Sequence, residues 1–152
     1  MIDLDKTLMP WIGRSMKAID YFMIDRFSEH GIGLTKVQWL LLKRLKEMNG
    51  ESQHNLAFFT NRDKASLTRL LTTMEKKNLV ARIPSESDHR INHIYITSYG
   101  EKILKMAMPV VKDMIKEMQN GLSEEERLIT IGVLKKLVNN INLKELVALE
   151  TK

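Results

Sequence analysis

The chain has 152 residues, 43% of them hydrophobic and 28% charged, which suits one domain with a real core and excludes a disordered segment. It contains no cysteine, which excludes disulfides, thiol redox sensing and cysteine-ligated zinc, and fits a reducing cytoplasm. Net charge is +5, and all of the excess falls in residues 35–90, which hold 11 basic and 6 acidic side chains, while the flanks hold 13 of each. A basic patch of this kind attracts phosphate backbones without reading sequence.

With no run of about 18 apolar residues, no membrane span is expected. The acidic start Met1-Ile2-Asp3-Leu4-Asp5 lacks the basic-then-apolar order of a secretory signal. Leu4, Leu8, Trp11, Ile12, Ser15, Ile19, Phe22, Met23 and Phe27 recur at three-and-four spacing and predict one helix of about six turns. His30-Gly31-Ile32-Gly33 ends it, with glycine as the left-handed stop. Thr35 opens a second helix through a Thr-x-x-Gln box to Gln38. Val37, Leu40, Leu41 and Leu45 are its expected buried face, and Asn49-Gly50 its end.

Ser52 can cap a short helix through Phe59, with Leu56, Ala57 and Phe59 inward. After a turn at Thr60-Asn61-Arg62, Asp63 caps a helix to about Lys77 that buries Leu67, Leu70, Leu71 and Met74. Asn78 stands where an asparagine can take a left-handed cap. The period then changes. Leu79–Ile83 and Asn92–Thr97 read as two short strands, joined by the polar loop of residues 84–90. A long helix is expected over residues 98–120, bent at Pro109 and ended by Gly121. Ser123 to Glu126 form a capping box for a last helix carrying Leu128, Ile131, Leu134, Leu137, Ile141 and Leu146.

Three compact helices followed at once by a hairpin are the parts of a winged helix-turn-helix. There the third helix enters the major groove and the hairpin loop reaches backbone or minor groove. Base edges need short or flexible donors facing them. Lys64, Ser66, Thr68, Arg69, Thr72 and Thr73, left over by the buried face of the 63–77 helix, meet that need. Thr35, Lys36 and Arg62 are expected at the DNA backbone. The fold class expected is mainly α with a small β-hairpin wing, an α+β winged helix-turn-helix core between flanking helices.

The segment from Leu34 to Gly100 resembles the multiple-antibiotic-resistance regulator (MarR) family. The matching stretches are Leu34-Thr35-x-x-Gln38-Trp39, Asn55-Leu56-Ala57, Asp63 to Leu71, Met74 to Val80, Ser87-Asp88-His89-Arg90, and Ile96-Thr97-x-x-Gly100. Asn78 stands where the family usually has glycine, and Phe58 where many members have a polar residue. The resemblance implies a cytoplasmic transcriptional regulator, most often a repressor, that binds a pseudo-palindromic double-stranded DNA operator as a homodimer. It implies one domain over residues 1–152, with a DNA-binding lobe at 35–97 and dimerisation helices at 1–30 and 98–150. Asp88 and Arg90 match the family's Asp-x-Arg wing motif, in which the aspartate steadies the wing and the arginine enters the minor groove. Ser87 and His89 belong to the same loop.

The resemblance also implies release by a small aromatic or phenolic effector held between dimer helices and DNA-binding lobe. Trp11, Ser15, Tyr21, Trp39 and Phe58 are candidate lining residues, although each taken singly reads more readily as core. No cofactor or metal is expected, since His30, His54, His89 and His93 form no tight ligand set beyond the pair flanking the wing. A winged helix that has lost DNA for protein partners is an alternative class, against which the basic excess and Arg90 speak. Nothing supports an enzyme, because no glycine-rich phosphate loop, paired-histidine metal motif or activated nucleophile is present.

Overall fold

The computed structural model describes residues 3–141. A 3-10 turn at Leu4–Lys6 precedes α1 (Leu8–Glu29), so the first predicted helix is interrupted at Thr7. Then come α2 (Lys36–Glu47), β1 (Glu51–Ser52), α3 (Gln53–Phe59), α4 (Lys64–Lys76), β2 (Val80–Pro84), β3 (Asn92–Ile96), α5 (Ser98–Met118) and α6 (Glu124–Asn140). The arrangement is mainly α with a small sheet, as expected. The sheet, however, has three antiparallel strands in the order β1-β3-β2 rather than two. β1 is only Glu51 and Ser52, paired with Ile94 and His93, and no two-residue strand leaves a periodic signal in a sequence.

Local chemistry sets the helix starts. Thr35 and Gln38 exchange both bonds of a capping box, as do Ser123 and Glu126, while the side chains of Ser52 and Asp63 each accept from a backbone N–H three residues on. Asn78 adopts φ +57, the left-handed cap its position called for. Gly50 also needs its positive φ of +80, and a Cβ there would stand 2.8 Å from the Tyr95 ring. α5 runs unbroken through Pro109.

The core lies between α2, α3, α4, the sheet and the crossing of α1 with α5. Its fully buried side chains include Phe27, Leu41, Leu42, Leu45, Leu56, Leu67, Leu71, Met74 and Ile94. Burying each such side chain contributes roughly 1.5–3 kcal/mol. The buried face of α2 is turned from the one expected: Leu42 and Gln38 are inside, whereas Val37 and Leu40 are half-buried. Leu70 is likewise only half-buried.

The flanking helices differ from the centre. In α1 only Met23 and Phe27 are buried, so the N-terminal half of its apolar stripe, including Leu8 and Trp11, faces outward. α6 buries no residue at all and exposes Leu128, Ile129, Ile131, Val133 and Leu134. Leu146 lies outside the described residues. No described helix is long and apolar enough to cross a membrane.

Candidate nucleic-acid interface

α4 begins at Asp63, whose carboxylate accepts the Ser66 N–H at 2.8 Å. That backbone hydrogen bond holds the Asp63 carboxyl below the ordinary carboxylate range. Leu67, Leu71 and Met74 fix one face of the helix in the core and turn Lys64, Arg69 and Thr73 to the outside. The other three candidates, Ser66, Thr68 and Thr72, are half-buried and already bonded. Ser66 Oγ accepts from Arg62 at 2.8 Å, and Thr68 accepts from Gln53 Nε2 at 2.7 Å. Thr68, Thr72 and Thr73 donate their hydroxyls to the carbonyls of Lys64, Thr68 and Arg69 in the preceding turn. Those three hydroxyl protons are therefore committed, and among the six candidates the donors left unbonded are the Lys64 and Arg69 cations and the Ser66 hydroxyl, which only accepts.

The hairpin loop, residues 85–91, is closed by its own backbone. Ser85 N–H donates to Ile91 O at 2.8 Å, and Ile91 N–H donates to Asp88 O at 2.9 Å. The Asp88 carboxylate accepts from the Arg90 N–H, a turn that aspartate forms readily. Ser87, His89 and Arg90 are exposed.

Between α3, α4 and the hairpin lies a cleft of about 400 Å³ lined by Gln53, His54, Lys64, Thr68, Arg82 and Arg90 among others. Sequence reasoning missed Gln53, His54 and Arg82. Arg82 shares a strand face with buried Val80 and pairs with buried Ile94, so its charge needs a partner there. It has one in Glu75 at 2.9 Å, and it also reaches Thr72 at 3.4 Å. Its Nε–H is buried without a partner.

Of the expected backbone contacts only Arg62 adjoins the N-terminal end of α4, whereas Thr35 and Lys36 stand at the start of α2. Thr35 is exposed and occupied as a cap, Arg62 is exposed beside Ser66, and Lys36 is half-buried in an ion pair with Asp20 of α1. Trp11, Ser15 and Tyr21 are exposed, and the Trp11 indole donates to Asp5 O at 3.0 Å. Trp39 packs half-buried against the core with its indole N–H buried and unpaired, and Phe58 is half-buried. None of the five lines the cleft at the hairpin, the one between α2 and α5, or the one between α1 and α5. Among the described residues no three His, Asp or Glu side chains are grouped to hold a metal, and His93 Nδ1 lies 2.8 Å from Gly50 O.

Comparison with known proteins gives this geometry a context. The MarR family model matches residues 34–91. The transcriptional regulator HosA of Escherichia coli O157:H7 is 31% identical over 106 residues, covering 70% of this chain and 78% of the relative. Among solved structures, a mutant MarR from E. coli complexed with operator DNA superposes with a TM-score of 0.79 at 23% identity, covering 86% of this chain and 92% of that one. Bordetella bronchiseptica BpsR, described as regulated in DNA binding by 6-hydroxynicotinic acid, superposes at 0.81 with 17% identity, covering 91% and 97%.

Proposed function

Since this chain belongs to the MarR family and is a transcriptional regulator rather than an enzyme, we propose that it binds a pseudo-palindromic operator as a homodimer in the cytoplasm, acts as a repressor, and is released by a small aromatic or phenolic ligand. The observation that carries the DNA reading is the placement of exposed Lys64 on α4 and Arg90 on the hairpin around one cleft, with α4 anchored on the core behind them. Residues 35–97 form the DNA-binding lobe. In it α4 reads the major groove through Lys64 and Arg69, with the oxygens of Ser66, Thr68, Thr72 and Thr73 as acceptors, and Ser87 to Arg90 approach the minor groove. A narrow minor groove concentrates negative potential and favours an arginine. Thr35, Lys36 and Arg62 lie at the backbone.

Residues 1–30 and 98–150 serve as dimer arms, of which 1–2 and 142–150 lie outside the described residues. The support is the set of large apolar side chains that α1 and α6 leave uncovered, more than a monomer's surface needs to expose. For the effector, the buried, unpaired Trp39 indole N–H offers a donor to a carboxylate or phenolate. BpsR provides a fold-level precedent for an aromatic acid as ligand. The test is selection of bound duplexes from a random pool, followed by competition with a panel of aromatic acids and phenols. Enrichment of a two-fold symmetric sequence is the expected result; no enrichment at low salt refutes the DNA reading.

A further inference from the structure

The turn at the C-terminal end of α4 is fastened on two sides, to the segment that joins α1 to α2 and to the start of α5. On one side the Lys77 ammonium donates to Gly33 O at 2.9 Å, within the segment joining α1 to α2, and reaches Gln38 Oε1 at 3.4 Å. Gln38 is buried, and the same oxygen accepts the Thr35 N–H that opens α2. On the other side Thr97, the N-cap of α5, donates its hydroxyl to the carbonyls of Asn78 and Leu79. Its N–H donates to Leu79 O at 3.1 Å. Gly100 packs so closely that a Cβ there would stand 2.1 Å from Leu79 O. Leu79 itself is buried, with its N–H on Met74 O at 2.9 Å.

We propose that residues 77–79 are the joint that sets the position of α4 relative to the arms. Lys77, Thr97 and Gly100 act as positioning residues that fix the separation of the two reading helices in a dimer. The proposal rests on the dimeric DNA-binding reading above. The joint is built mainly on backbone carbonyls at residues 33, 78 and 79, which cannot slide as long side chains can. The N-terminal end of α4 is tied differently, by the side-chain bonds of Arg62 to Ser66 and Gln53 to Thr68. Adding one base pair between half-sites moves them apart by about 3.4 Å and turns them by about 35°. A stiff joint converts that displacement into lost contacts, and a loosened joint tolerates it.

The test uses the full chain and a duplex it selects from random sequence, rebuilt with its half-sites one base pair closer, one further and two further apart. The wild type is expected to lose about tenfold or more at each altered spacing. Lys77→Met and Thr97→Val are expected to flatten that loss to about threefold or less. Lys77→Arg and Thr97→Ser, which keep a donor, restore the wild-type profile. If both loosened variants keep that profile, or weaken binding equally at every spacing, the joint is refuted. Arg90→Ala, outside the joint, is expected to weaken all spacings alike. A wild type that selects no duplex, or is indifferent to spacing, overturns the dimeric DNA reading and the joint with it.

Discussion

The Asp88 carboxylate accepts a hydrogen bond from the backbone N–H of Arg90 at 2.9 Å, and among the described residues no bond engages the Arg90 guanidinium. The acid shapes the loop, and the base two residues on is left for a partner. Replacing Arg90 with Ala is therefore expected to weaken operator binding by about 1–3 kcal/mol without loss of fold. Asp88→Asn, which still offers an oxygen to that N–H, should bind far better than Asp88→Ala. Equal affinity of Arg90→Ala and wild type by fluorescence anisotropy would show that the wing does not touch DNA.

Arg69 is exposed on α4 between the committed threonines. Arg69→Ala is expected to weaken binding by about 1–3 kcal/mol, and the form of the loss identifies its contact. If Arg69 meets a phosphate, the slope of log affinity against log salt falls by about 1 and sequence preference is unchanged. If it meets a guanine, preference relaxes at one position. A variant that binds as tightly as wild type at every salt concentration would remove Arg69 from the interface.

Arg44 and Glu51 form a two-pronged ion pair with both contacts at 2.8 Å, and their side chains are 14% and 7% exposed. Donating to the Glu51 carboxylate raises the Arg44 pKa, and the Arg44 guanidinium also lies over the Phe59 ring at 5.3 Å. The pair ties the end of α2 to β1 and to the end of α3. Glu51→Leu alone leaves a buried cation unpaired and is expected to cost about 3–5 kcal/mol, whereas the double change Arg44→Met with Glu51→Leu is expected to cost far less. Urea unfolding of the single and double variants measures the difference. Equal losses would show that packing, rather than charge pairing, dominates at this site.

The backbone bond from Ser66 lowers the Asp63 pKa, and the Ser123 N–H does the same for Glu126. A carboxyl depressed in the folded state adds stability above its unfolded value, about 3.9 for aspartate, and loses it as pH falls through the lower folded value. Thermal stability should therefore drop as the pH falls below about 4. Asp63→Asn, which caps a helix without titrating, should show a shallower drop. An unchanged acid limb in that variant would assign the acid sensitivity to other groups.

Ile131 is 48% exposed on a helix that buries nothing of its own. Ile131→Glu is expected to convert a sedimenting species of twice 17.7 kDa into one of 17.7 kDa. A variant that keeps the larger mass would exclude this part of α6 from the interface.

Much of the fold was legible because it is local. Thr35, Ser52, Asp63 and Ser123 announce helix starts through bonds to residues three positions on, and Asn78 announces its turn through its own tolerance of positive φ. What the sequence hid depends on distant neighbours. Glu51 becomes a strand residue only because β3 lies beside it, and that Leu42 rather than Leu40 is inside depends on how the neighbouring elements pack on α2. The same holds for the interface. Lys64 and Arg69 could be read from helical spacing alone, whereas Gln53 and Arg82 join the cleft only through the packing of α3 and β2 on α4. Trp11, Ser15 and Tyr21 lie exposed along α1, and helical spacing carries no information about what that helix faces.

The strand order leaves β2 on the rim of the sheet, where unpaired main-chain groups can recruit a stray strand and seed aggregation. β2 has only five residues and ends at Pro84, which has no N–H to offer such a strand. Exposed Ile83 would otherwise make this rim adhesive. Pro84 thus serves as a guard on the hairpin, keeping its exposed rim from being consumed by growth of the sheet.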